Sequence, residues 1–172
     1  MIFKDISNFT NVNDFLPILN GCINADLIVL ILVFHNFINS TYLKKWYKTF
    51  NLSAVIADIL ILMIGIIIAR FLYKFIFTKW NIIYFILLAV CIQITHDLLF
   101  YLFFKNVPNN YSYILNFFKK YANETGYYAI MGDSFMMIVA CLLSSYFAGL
   151  SLNQNIITLI ISIYFIPFLI NQ

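Results

Sequence analysis

Two histidines and three aspartates stand inside stretches made otherwise of apolar residues: His35, Asp58, His96, Asp97 and Asp133, with Gln93 and Ser134 beside them. An ionisable side chain within a membrane-spanning segment costs about 2.5–3.5 kcal/mol on insertion scales and turns towards the bundle interior or a water-filled cavity. Three kinds of chemistry suit this set. As hydrogen-bonding groups, the residues would lock helices together, a non-enzymatic role and the expected one. As an alternative, Asp58, Asp97 and Asp133 would titrate and His96 or His35 would relay, making a small proton- or cation-coupled transporter or channel, because imidazole is poised near neutrality. Third, His35, Asp58, His96, Asp97 and Asp133 offer enough nitrogen and oxygen ligands for zinc or iron with a position left for water, as in a metal-dependent intramembrane hydrolase. Against that third reading, the chain has two histidines in all and no HExxH. Ser134 has no base at a spacing that would make it a nucleophile. No catalytic residue is assigned and no cofactor is expected.

The elements that must position these residues follow from composition. Of the 172 residues, 63% are hydrophobic and 10% charged, and the mean hydropathy is +0.92. A soluble domain has about 25% charged residues, so lipid must be the solvent for most of this surface. The net charge of +3 is scattered, which suits anionic headgroups and excludes a nucleic-acid-binding stripe. The expected partners are the bilayer, other membrane or capsid proteins, or a second copy. Cys22, Cys91 and Cys141 lie far apart without a CxxC pair, so they indicate neither a disulfide framework nor a zinc knuckle.

A helix needs ~20 mainly apolar residues to cross the hydrocarbon, and five windows approach that length: 23–40, 52–73, 80–104, 127–150 and 155–170. The runs are continuous rather than alternating, which rules out barrel strands. The expected fold is therefore an all-α integral membrane bundle of about five transmembrane helices. It forms one domain over residues 23–172, after a polar segment, 1–22, interrupted by Pro17. That segment lacks the basic-then-apolar order of a cleaved signal peptide. Residues 41–51 read as a basic aromatic turn. Within 105–126, Tyr111–Tyr121 forms a candidate amphipathic helix lying on the interface before the fourth span, with Ile114, Phe117, Phe118 and Tyr121 on its apolar stripe. No internal repeat is evident.

Alternating spans put 41–51, 105–126 and the C-terminus on one side, side A, whose lysines make it the expected cytoplasmic side. At ~1.5 Å per residue, His35, Asp58, His96, Asp97 and Asp133 fall in one layer roughly 8–12 Å below side A. Asp26 is opposite His35 in helical phase and is not expected to join it. Arg70 is expected to snorkel towards side B, with Asp26 as a candidate partner, and Glu124 reads as a solvated loop acid. Sequons at Asn8, Asn39, Asn51, Asn110 and Asn123 are chance matches in an asparagine-rich chain.

Three stretches together carry a resemblance: Leu52–Asp58 (LSAVIAD) running on to Ala69 and Arg70; Gln93–Asp97 (QITHD) with Phe100 and Tyr101; and Tyr121–Gly126 (YANETG) leading to Gly132–Ser134 (GDS). They resemble uncharacterised multi-pass membrane proteins of large DNA viruses infecting algae and amoebae, over roughly residues 50–145. The resemblance implies a viral origin and a place in an internal virion membrane or a host membrane. It implies no activity.

Overall fold

Proline lacks only a backbone N–H that the first turn of a helix leaves unpaired in any case, and the first helix, α1 (Phe15–Phe34), carries Pro17 in that turn. The helix therefore starts eight residues before the expected 23 and stops at Phe34, not at Ser40. The computed structural model describes residues 3–109 and 111–171, and the Asn110 sequon lies outside them. After α1 come α2 (Thr41–Phe50), α3 (Leu52–Ile76), α4 (Ile82–Asn106), α5 (Tyr113–Thr125), α6 (Tyr127–Phe147) and α7 (Leu152–Ile170). Among the described residues there is no strand. Five helices are long and apolar enough to cross a bilayer: the first, counted from Val12, together with α3, α4, α6 and α7. The chain is a multi-pass integral membrane protein.

The remaining two helices lie at one end. The stretch expected as a basic aromatic turn is the amphipathic helix α2, and the expected interfacial helix is α5, starting two residues later than Tyr111 and ending four later than Tyr121. Each begins at a serine whose side chain accepts a hydrogen bond from a backbone N–H three residues on, Ser40 from Leu43 and Ser112 from Leu115. Each ends at a single elbow residue that opens the next span. Asn51 (φ 49°, ψ −128°) joins α2 to α3, and Gly126 (φ 53°, ψ −131°) joins α5 to α6. Left-handed backbone of this kind suits glycine and, among other residues, asparagine.

These two matching elbows disclose an internal repeat that the sequence carries at only a few positions. Lys44 and Lys45 precede Asn51 at the spacing by which Lys119 and Lys120 precede Gly126. Asp58 and Asp133 follow their elbows at the same seven-residue spacing. Trp46 matches Tyr121, Ala54 matches Ala129, and Gly65 matches Ala140. The linkers α1–α2 and α4–α5 are both six residues long. Packing follows the same plan: α1 and α4 each lie against both α3 and α6, α2 rests on α3 as α5 rests on α6, and α2 meets α5. The two α–interfacial α–α units are thus connected and packed alike, as parallel repeats are. The repeat is carried by a few polar and elbow positions, while apolar positions facing lipid interchange freely, so a comparison of hydropathy does not reveal it.

Two features break the symmetry. α7 packs mainly on α1, which makes α1 the central and most buried of the spans and leaves α4 the least buried. Asn20 of α1 donates to the Asn155 side chain and carbonyl of α7, and Ser162 of α7 donates to Asn24. The second feature is the α1–α6 crossing, where a Cβ on Gly21 would lie 2.6 Å from the Ser144 nitrogen and 2.8 Å from the Ala140 oxygen. Counted back from the equal linkers, the α4 residue in the place of Gly21 is Gln93. A glutamine there holds α4 farther from α3 than α1 lies from α6.

Candidate functional site

Each of the four core helices carries one aspartate at similar depth: Asp26 on α1, Asp58 on α3, Asp97 on α4 and Asp133 on α6. The first unit contributes the pair Asp26/Asp58 and the second unit Asp97/Asp133. Asp26, not expected in the layer, is fully buried and belongs to the set. Helical phase counted from His35 misplaces it, because His35 lies just past the end of α1.

In the first unit both acids are met by side chains of α2. The Trp46 Nε1–H donates to both Asp58 oxygens, at 3.0 and 3.3 Å, and the Tyr47 hydroxyl donates to Asp26 at 2.9 Å while lying beside Asp58. Tyr47 is wholly enclosed. Burial, then the two neighbouring carboxyls, push its hydroxyl well above the ordinary tyrosine range, so it keeps its proton and donates.

In the second unit two side-chain donors are again present, but both serve the same acid. Asp97 is held within its own helix, by Gln93 Nε2 at 2.8 Å and His96 Nδ1 at 3.2 Å, both on one oxygen; its other oxygen is buried without a partner. The Asp133 carboxylate accepts no hydrogen bond among the described residues and lies within electrostatic range of Asp97 and Asp58. Tyr121, the counterpart of Trp46, faces the same group: burial, then Asp133, Asp58, Asp97 and Glu124, raise its pKa above the ordinary value.

These acids open onto a cavity of about 600 Å³ between α3, α4 and α6, roofed by α2 and α5. Asp58, Gln93, His96, Asp97 and Asp133 line it, together with Trp46 and Tyr121. The roof is aromatic: Trp46 packs on Phe117 and Phe118 at 5.9 and 5.0 Å between ring centroids, and Phe118 on Phe100 at 5.1 Å. Glu124 is exposed, as expected, but it stands on α5 and not in a loop. Its carboxylate accepts from the Thr41 and Tyr42 backbone N–H groups at 3.1 and 2.9 Å, so α5 caps the start of α2 across the mouth.

Two expected members lie elsewhere. His35 is exposed at the end of α1, its Nδ1 3.0 Å from the Ile31 carbonyl oxygen, and Ser134 is absent from the cavity wall. The depth expected for His35 assumes a first span running on to Ser40, which α1 does not reach. Among the described residues no three His, Cys, Asp or Glu side chains converge as metal ligands. Arg70 does not snorkel. It is fully buried, paired with Asp14 at 3.1 Å rather than with Asp26, and donates to the carbonyls of Asn8 and Asn11.

Sequence reasoning missed Asp26, Trp46, Tyr47 and Tyr121. The signal that would have found the last three is the identical spacing of lysine pair, elbow and aspartate in the two units. No protein-family model, curated protein or solved structure matches this chain.

Proposed function

We propose that the protein is an intramembrane cation-binding protein, with its site in the second unit and its entrance beneath α2 and α5. One observation carries this reading: Asp133 lines a cavity and, among the described residues, lacks the donor that its counterpart Asp58, on the same cavity, receives from Trp46. Carboxylates that only hold helices together need partners on other helices, and Asp133 has none among the described residues. A buried carboxylate without a partner is costly, and a positively charged group is what offsets that cost. The helix-locking role, the first expectation from sequence, is favoured for Asp26 and Asp58, whose bonds do run between helices. On the viral resemblance we further propose an internal virion or host membrane as the setting, with 41–51 and 105–126 facing the cytoplasm.

The test is thermal unfolding in detergent with no added ligand. Asp58→Asn loses a charge-assisted bond and should cost about 1 kcal/mol, or roughly 3 °C in Tm. Asp133→Asn should leave Tm unchanged or raise it, as removing a strained binding group commonly does. Equal losses in the two variants would return Asp133 to a structural role.

A further inference from the structure

The first unit displays what meets an acid pair in this frame: an N–H and an O–H carried on aromatic bodies, delivered from the interfacial helix, with one Asp26 oxygen still buried and unpartnered. At the matching positions the second unit has Tyr121 and then Ala122, so the counterpart of Tyr47 has no ring and no hydroxyl. Gln93 and His96 of α4 reach Asp97 instead, and among the described residues no side chain donates to Asp133. Gln93, 3% exposed, lines the cavity and spends its amide N–H on Asp97, while its Oε1 accepts no hydrogen bond among the described residues. Asp97 has a second oxygen buried without a donor, and Asp133 has no donor at all among the described residues. Acceptors on Asp133 and Gln93, with Asp97 beside them, therefore line a cavity whose walls include Trp46, Phe100, Phe117 and Phe118 as well as the polar side chains of Asp58, His96, Tyr121 and Glu124.

We infer that this cavity binds a protonated amine carried on an apolar body and free of phosphate. The ammonium group, with three N–H donors, bridges Asp97, Asp133 and the Gln93 Oε1. The apolar body takes the aromatic space under α2 and α5, where ring faces also favour a cation. A phosphate on the same molecule would meet Asp58, Asp133 and Glu124, so a zwitterionic phospholipid headgroup is disfavoured. The amine can come from water, as an arylalkylammonium, or from the bilayer, as a long-chain ammonium. The inference rests on the cation-binding reading above.

The test uses the full chain in phosphatidylcholine nanodiscs with Trp80→Phe, leaving Trp46 as the sole tryptophan, in the cavity wall. Its emission is followed during titration with phenethylammonium, dodecylammonium, the alcohols 2-phenylethanol and dodecanol, and potassium and calcium chlorides. Saturable change with an ammonium and none with its alcohol is expected, and the tighter of the two ammoniums identifies the aqueous or the membrane source. Asp133→Asn should weaken the binding roughly tenfold or more. Ala122→Tyr, which grafts the first unit's hydroxyl into the second, should abolish it. Alcohols binding as well as ammoniums, or ammonium binding unaltered by Asp133→Asn, would overturn the inference. A response to potassium or calcium alone would overturn the amine and leave the cation reading standing. Silence with every cation would sink both.

Discussion

The two units set four aspartates in one frame and treat them differently. In the first, α2 turns Trp46 and Tyr47 inward and both acids are met by neutral donors. In the second, α5 offers Tyr121 and Ala122, and Asp133 meets no donor among the described residues although it lines the same cavity of about 600 Å³ as Asp58. The helix crossings differ in step with this. Gly21 lets α1 close on α6, while Gln93, in the matching place, keeps α4 off α3 and leaves room beside itself. A repeated frame with one copy plugged by its own side chains serves as an internal control: what the plugged copy contains defines what the open copy lacks.

That contrast can be broken at its strongest point first. Gly21→Ala should be the most damaging change, at about 3 kcal/mol, because the new Cβ meets backbone that cannot rotate away; unfolding in detergent measures it, and a harmless alanine would mean that the crossing is looser than described. Tyr47→Phe comes next, at about 2 kcal/mol, since it strips Asp26 of its one donor and leaves a carboxyl buried without partners. Glu124→Ala should cost about 1 kcal/mol, as a lost cap on α2; hydrogen exchange at the Thr41 and Tyr42 amides should quicken with it. The smallest effect belongs to the open unit's own tyrosine, where Tyr121→Phe should cost less than about 0.5 kcal/mol. Comparable losses for Tyr47→Phe and Tyr121→Phe would erase the distinction between plugged and open units.

Lipid-facing residues make α3, α4, α6 and α7 readable, because a continuous apolar run of bilayer length suits little besides a membrane span. α1 is harder. Its hydropathy matches that of the other spans, but Asn20, Asn24 and Asp26 interrupt the apolar run, and each has a polar partner on α2 or α7 or on its own helix, a fact of packing that no window of sequence contains. Misplaced limits for this one helix then bring His35 into the layer and leave Asp26 out. Asp58, Asp97 and Asp133 are legible as neighbours from depth alone. Their unequal donors are not, because Trp46 and Tyr47 read as part of a basic aromatic turn at the surface, a role their residue types suit equally well.

Arg70 bears on how the protein is made. Its guanidinium ends up sealed beneath carbonyls and a carboxylate from residues 8–14, all of them earlier in the chain than α3. When α3 emerges from the ribosome, that segment has already been synthesised and can receive the charge as the helix partitions into lipid. The partners of this arginine thus all precede it in the chain, so its charge has a receiver already made before α3 is complete.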